Sequence, residues 1–435
     1  MAEPSADHML DMDKRLAELS PIPSERCIFR VYDPLRNENK KAYESEVVAI
    51  GPYHHGNNLQ PMEERKLRYL KQLLNRRNEG SAEIYIEAMR ESEQTAREFY
   101  AEPIRLDLNE FVETMLLDSC FTVELLRGPE MPNDPLVENA LIRDLMLFEN
   151  QLPFFIVKKL FDMTKSSADS LEDLIRMFIR FFSWWIIGCM TPVHNLVAPS
   201  VIPREDDIKG APFENPREDD INHLLGLLHY CCCYQFHSMV SKRDPVEKKD
   251  KSLNSATELQ EAGIKFNKTE GRNLFDIRFV NGTMEIPTLE VDDYTESFFR
   301  NLIAYEQYLP YTNTTSRNHF TAYRKFMDYL VNTSKDVEIL THRGIIFNLL
   351  GDNEVVAAMI NKLSNNIIVS DVGYEEVYNK VNEHCRGKWN FWLAILRRKY
   401  FNNPWALISF LAAVVLLLLT VLQTILPIHP VGKSN

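Results

Sequence analysis

The chain has 435 residues, 45% of them apolar and 26% charged, with a formal net charge of −13. That balance supplies a globular core, and so acidic a chain repels phosphate backbones, which excludes nucleic acid as a partner. Seven cysteines, three of them consecutive at Cys231, Cys232 and Cys233, with no CxxC pair, form neither a disulfide framework nor a standard zinc signature. They fit a reducing compartment.

Residues 1–26 read as a flexible acidic segment without the apolar core of a secretory signal peptide. Met9, Met12, Leu16 and Leu19 are spaced there for a short amphipathic helix. Next comes VVAIGPYHHG, residues 47–56. Val47 to Ile50 predict a strand, and Gly51, Pro52, Tyr53, His54, His55 and Gly56 a turn. Pro52 fixes one dihedral, the glycines allow unusual ones, and Tyr53 packs the turn down. Neighbouring side chains of an extended segment point to opposite faces, so His54 and His55 do not share an ion. The stretch is a structural signature first and a binding surface second.

The spacing predicts a surface helix over 62–74, with Leu67, Leu70 and Leu74 facing the core. A second helix over 110–127 stops at Gly128-Pro129, and Cys120 on its apolar face reads as a core thiol. A third runs over 137–152 and is ended by Pro153. Residues 171–190 are long and apolar but contain Arg176 and Arg180, which makes them a core helix rather than a membrane span. Residues 192–222 turn to Pro, Asp and Glu and contain PREDDI twice, an exposed acidic loop. In HLLGLLHYCCCYQFH, residues 223–237, a helix would place His229, Cys233 and His237 on one stripe. Eight residues of helix span about 12 Å, too far for one ion, so no metal is expected. Residues 241–252 form a charged linker. In 274–291, Phe275, Ile277 and Phe279, then Met284 and Ile286, alternate with polar neighbours around Asn281-Gly282, which predicts a type I′ hairpin.

RDLMLFENQLP (143–153) and RNLIAYEQYLP (300–310) form an internal repeat, each read as a helix stopped by proline at Pro153 or Pro310. Arg143 and Glu149, like Arg300 and Glu306, lie six apart, about 240° around a helix, and so need partners elsewhere. The expectation is a buried network of these four residues joining the two copies.

Residues 405–426 carry no charge and have the length of a transmembrane helix. Arg397, Arg398 and Lys399 precede this run, Trp405 marks its near interface, and residues 427–435 form a short tail. The flanking charge predicts a single-pass, tail-anchored protein of the plasma membrane or endomembranes, with its main region in the cytosol. Four N-x-S/T sequons, at Asn267, Asn281, Asn313 and Asn332, argue for an extracellular main region instead, but their number is close to chance. The fold expected is mainly α with a small β hairpin or sheet: one large α-rich region over 27–396 plus the C-terminal transmembrane helix. No GxSxG elbow, Walker loop, HExxH or GxGxxG accompanies a suitable strand and helix.

Six blocks carry a family resemblance: IFRVYDPLRNENKKAY with VVAIGPYHHG, MLLDSCFTVELLR, DLMLFENQLPFF, SATELQEAGIKF, IPTLEVDDYTESFFRNLIAYEQ, and YFNNPWALISFLAAVVLLLLT. In this order they resemble the plant-specific family called domain of unknown function 247, with departures at Tyr32 and Ser45. The resemblance implies a plant membrane protein without an assigned reaction. Certain grass members are proposed pollen-side determinants of self-incompatibility, matched to small secreted proteins. The expectation is a non-enzymatic, membrane-anchored recognition or signalling protein that needs no cofactor. Its partners would be the lipid bilayer and a protein, either a small secreted one or another family member. The alternative is a hydrolytic or metal-dependent enzyme.

Overall fold

The computed structural model describes residues 26–56, 59–128, 134–167, 169–183, 186, 216–240, 252–269, 273–309, 318–368, 373–386 and 404–425. The N-terminal helix expected around Met9 to Leu19, most of the acidic loop and the 241–252 linker, Pro310, Arg397, Arg398 and Lys399 lie outside them. As expected, the fold is mainly helical with a small sheet. The chain divides into two compact units, the first Met1–Trp184, Val197–Cys231 and Ser297–Tyr311, the second Trp185–Leu196, Cys232–Glu296 and Thr312–Asn435.

In the first unit the longer helices among the described residues are α1 (Gln60–Arg77), α2 (Glu83–Glu91), α3 (Leu108–Arg127), α4 (Pro135–Leu145), α5 (Phe154–Thr164), α6 (Leu171–Phe181), the start of α7 (Leu224–Val240) and most of α8 (Thr295–Tyr308). α3 is the central element and touches α1, α2, α5 and α6. A capping box starts it, in which the Asp107 carboxylate accepts the Asn109 and Glu110 N–H groups and Glu110 accepts that of Asp107. Gly128, at φ 91°, ends it in the left-handed conformation that glycine tolerates.

Two sequence expectations move. On α1 the buried stripe is Met62, Lys66, Tyr69 and Leu73, while Leu67 is 53% exposed. The face is turned by one residue because Lys66, which reads as polar, goes inside to meet a buried carboxylate. The helix expected over 137–152 ends at Leu145. There Asn150 Nδ2 donates to the Asp144 carbonyl, and Gln151 Nε2 to those of Leu145 and Leu147. Side chains thus take carbonyls that a continuing helix would have bonded. The second copy of the repeat stays helical through Tyr308, so the copies differ in conformation.

The second unit holds a sheet of β1 (Lys265–Thr269), β2 (Arg278–Val280) and β3 (Thr283–Pro287), in the order β1-β3-β2. β2 and β3 are antiparallel and β1 is parallel to β3. Asn281 and Gly282 join β2 to β3 at φ 50° and 76°, the two positive values a type I′ turn requires. β4 (Leu289–Val291) pairs in parallel with β5 (Ile346–Asn348). The longer helices here, among the described residues, are α9 (His319–Leu330), α10 (Ser334–His342), α11 (Asn353–Lys362), α12 (Glu375–Arg386) and α13 (Pro404–Ile425).

The apolar C-terminal run forms α13, with Trp405 at its start. Among the described residues, however, no helix is long and apolar enough to cross a membrane. The predicted transmembrane helix is not supported, and the orientation inferred from its flanking charges loses its basis.

Candidate functional site

The 47–56 stretch is held by side chains, not by a sheet. Asp144 Oδ2 accepts the N–H groups of Glu46, Val47 and Val48 at 2.9, 2.7 and 3.0 Å. Asn150 Oδ1 accepts that of Ile50 at 2.6 Å, and Asp118 Oδ2 that of Gly51 at 2.7 Å. Donors that would have fed a strand ladder are taken, and Val47 to Ile50 are not a strand. Gly51 has φ 73°, and a Cβ on it would stand 2.6 Å from the Gln151 carbonyl oxygen. Gly51→Ala is therefore expected to destabilise the first unit by at least about 2 kcal/mol through strain and displaced backbone, read from its denaturation midpoint. Tyr53 closes the turn: its hydroxyl bonds Glu102 and the Ile28 carbonyl, and its ring packs edge-on against Tyr100.

The two histidines part company. His54 is buried, with Nε2 3.8 Å from Glu149 Oε2, and burial, aided by the Arg36 and Arg30 guanidiniums, pushes its pKa down to about 4. It is neutral at neutral pH. His55 faces outward, its Nδ1 3.3 Å from Thr114 Oγ1. They do not converge on one ion.

Arg143, Glu149, Arg300 and Glu306, the four residues of the expected network, are all buried. Glu149 accepts from Arg36 at 2.6 Å and from the Val31 N–H at 2.8 Å. Arg143 bonds the Lys41 and Glu44 carbonyls and Asp144. Both therefore brace the N-terminal segment and neither pairs with the second copy, contrary to the expected four-residue network. Glu306 meets His229 Nε2 at 2.8 Å, and Arg300 is 3% exposed. The copies are joined by a neutral residue instead. Asn301 accepts the Phe148 N–H and donates to the Ala42 carbonyl, each at 2.8 Å. Searching for charge complementarity passes over such a link. Pro153 stands at the N-terminus of α5, where its missing N–H costs nothing.

Beside the turn, α1 and α3 open a cleft of about 930 Å³. His55, Thr114, Leu67 and Leu117 form its walls, and Glu63, Glu64, Glu110 and Glu113 stand around it. Its floor is a buried ion pair, Lys66 Nζ to Asp118 at 2.6 Å. Lys66 also donates to Glu63 at 2.7 Å and to the Ala49 carbonyl at 2.6 Å, so three donors meet three acceptors. Burial works against its charge, but Asp118 and Glu63 outweigh that and hold it protonated. An ammonium so engaged is not a nucleophile. The sequence signal for this pair was a charged residue on each of two facing helix stripes, which separate readings of α1 and α3 do not join. Cys120 is buried and pushed up to about 12 by burial, the state of an inert thiol. α7 is helical as expected and carries His229, Cys233 and His237, the last with its side chain outside the described residues.

A family model described as a plant protein of unknown function, domain of unknown function 247, matches residues 28–419. A UPF0481 protein of Arabidopsis thaliana is similar at 30% identity over 426 residues, covering 92% of this chain and 85% of the relative. A putative UPF0481 protein of the same plant is 25% identical over 474 residues, covering 91% of this chain and 89% of the relative. No solved structure matches.

Proposed function

We propose that this chain, which belongs to the plant family called domain of unknown function 247, is a recognition protein without chemistry of its own, binding a basic protein segment in the cleft beside its signature turn. The observation that carries this reading is how the signature's polar groups are engaged. Asp118, Asp144, Glu149 and Asn150 accept backbone N–H groups of residues 31–51. Groups held this way build a rigid frame. What the frame presents outward is a cleft whose rim carboxylates attract cations.

The rim is the testable part. A fluorescent oligolysine peptide is expected to bind the full chain in a salt-sensitive way. Glu64→Gln with Glu113→Gln should weaken it by about tenfold, or ~1.4 kcal/mol. Removing two carboxylates elsewhere on the same unit, Glu87→Gln with Glu172→Gln, should change binding less than twofold. Equal losses in both double variants would reduce the cleft to general acidity and sink this reading. Turnover of any substrate that depends on His55 would overturn the absence of chemistry.

A further inference from the structure

The sequons fall within one stretch, from Asn267 to Asn332, and none occurs elsewhere in the chain. Asn313 lies outside the described residues; Asn267, Asn281 and Asn332 belong to the second unit and all three are exposed. Asn267 sits on β1, the outer strand of its sheet, next to the buried Phe266. Asn281 opens the type I′ turn. Asn332 links α9 to α10, with its N–H given to Asp336 and its carbonyl accepting from Asn361. The backbone is thereby fixed at each site while the side-chain amide makes no hydrogen bond among the described residues. Asn273, Asn361 and Asn382, none of them in a sequon, donate their amides to the carbonyls of Cys232, Asn332 and Ser252.

We propose that the second unit carries N-linked glycans at Asn267, Asn281 and Asn332, and so matures on the luminal or extracellular side of the secretory route. In each transfer, the bond from sugar C1 to the diphosphate of a polyprenyl-diphosphate oligosaccharide breaks, and a bond from C1 to Asn Nδ2 forms. The nitrogen gives up one proton and polyprenyl diphosphate leaves, with no change of oxidation state. One physical feature agrees: a glycan on Asn267 stands on β1, at an edge of its sheet, and blocks pairing by another chain. The charge argument for a cytosolic main region rested on a transmembrane helix that the structure does not support.

This proposal is independent of the binding cleft, and its test reads covalent structure alone. The full chain is produced in plant cells from its natural sequence, treated with peptide-N-glycosidase, and mapped by mass spectrometry. Digestion should increase mobility and convert the three asparagines to aspartates. Asn267→Gln and Asn332→Gln should each remove one step of the shift. At Asn281, whose positive φ disfavours glutamine, Thr283→Ala removes the sequon and leaves the turn intact. Unmodified asparagine at all three positions would overturn the proposal, as would a mobility shift that survives the triple variant undiminished.

Discussion

Replacing Glu149 by alanine is expected to destabilise the first unit by about 3–5 kcal/mol, the cost of leaving a buried charge partner and a backbone donor unmatched. The carboxylate is fully buried, accepts from Arg36 Nη1 at 2.6 Å and from the Val31 N–H at 2.8 Å, and stands 3.9 Å from Arg30. Its removal leaves a mostly covered guanidinium with only the more exposed Glu44, at 3.3 Å, as a carboxylate partner. Glu149→Gln keeps the shape and an acceptor for Val31 but not the charge, so its loss should be smaller. Adding Arg36→Met to Glu149→Ala removes the under-compensated cation and should recover part of the stability, giving a coupling energy above about 1 kcal/mol in a double-mutant cycle. Hydrogen exchange of peptides from α3, followed through a denaturant series, reads this unit alone. A Glu149→Ala midpoint indistinguishable from that of the parent chain would remove Glu149 from the frame.

Acid is expected to weaken the same unit through its buried histidines. His223 is fully buried and its Nδ1 accepts the Gly226 N–H at 3.1 Å, which demands a neutral ring; burial takes its pKa down to about 3. His54 is likewise pushed down to about 4 from 6.5. Both folded values lie below the unfolded one, so between these pH values the unfolded chain binds protons that the folded chain refuses. The stabilisation is complete above pH 6.5 and is lost as pH falls toward 4, by about 3 kcal/mol for His54 alone. His54→Leu removes one titrating ring, so the variant should lose less stability between pH 7 and 4.5 than the parent does. Parallel pH profiles would mean that His54 is not held neutral.

Both effects arise from polar residues inside the unit, which is where reading the sequence succeeds least. The stop of α3 at Gly128, the Asn281-Gly282 hairpin and the helical α7 were legible because C-terminal capping, turn chemistry and apolar spacing act over a few residues. The early end of α4 was not legible. Nothing local shows that Asn150 and Gln151 take the carbonyls of residues 144, 145 and 147. The rotated face of α1 has the same origin, since Lys66 is an interior residue only once Asp118 is known to lie opposite.

By itself the sequence determined the family through its six ordered blocks, the mainly helical class, the hairpin, and the separation of His54 from His55, because each depends on residue type and short spacing. Tertiary structure alone decided that 47–51 is not a strand and that Arg143 and Glu149 brace the N-terminal segment rather than pair with the second copy of the repeat. It also decided that a cleft opens where the second histidine points. The physical reason is common to all three. A buried polar group must find its partner, and that partner, some 70 to 120 residues away in Asp118 and Glu149, is chosen by packing.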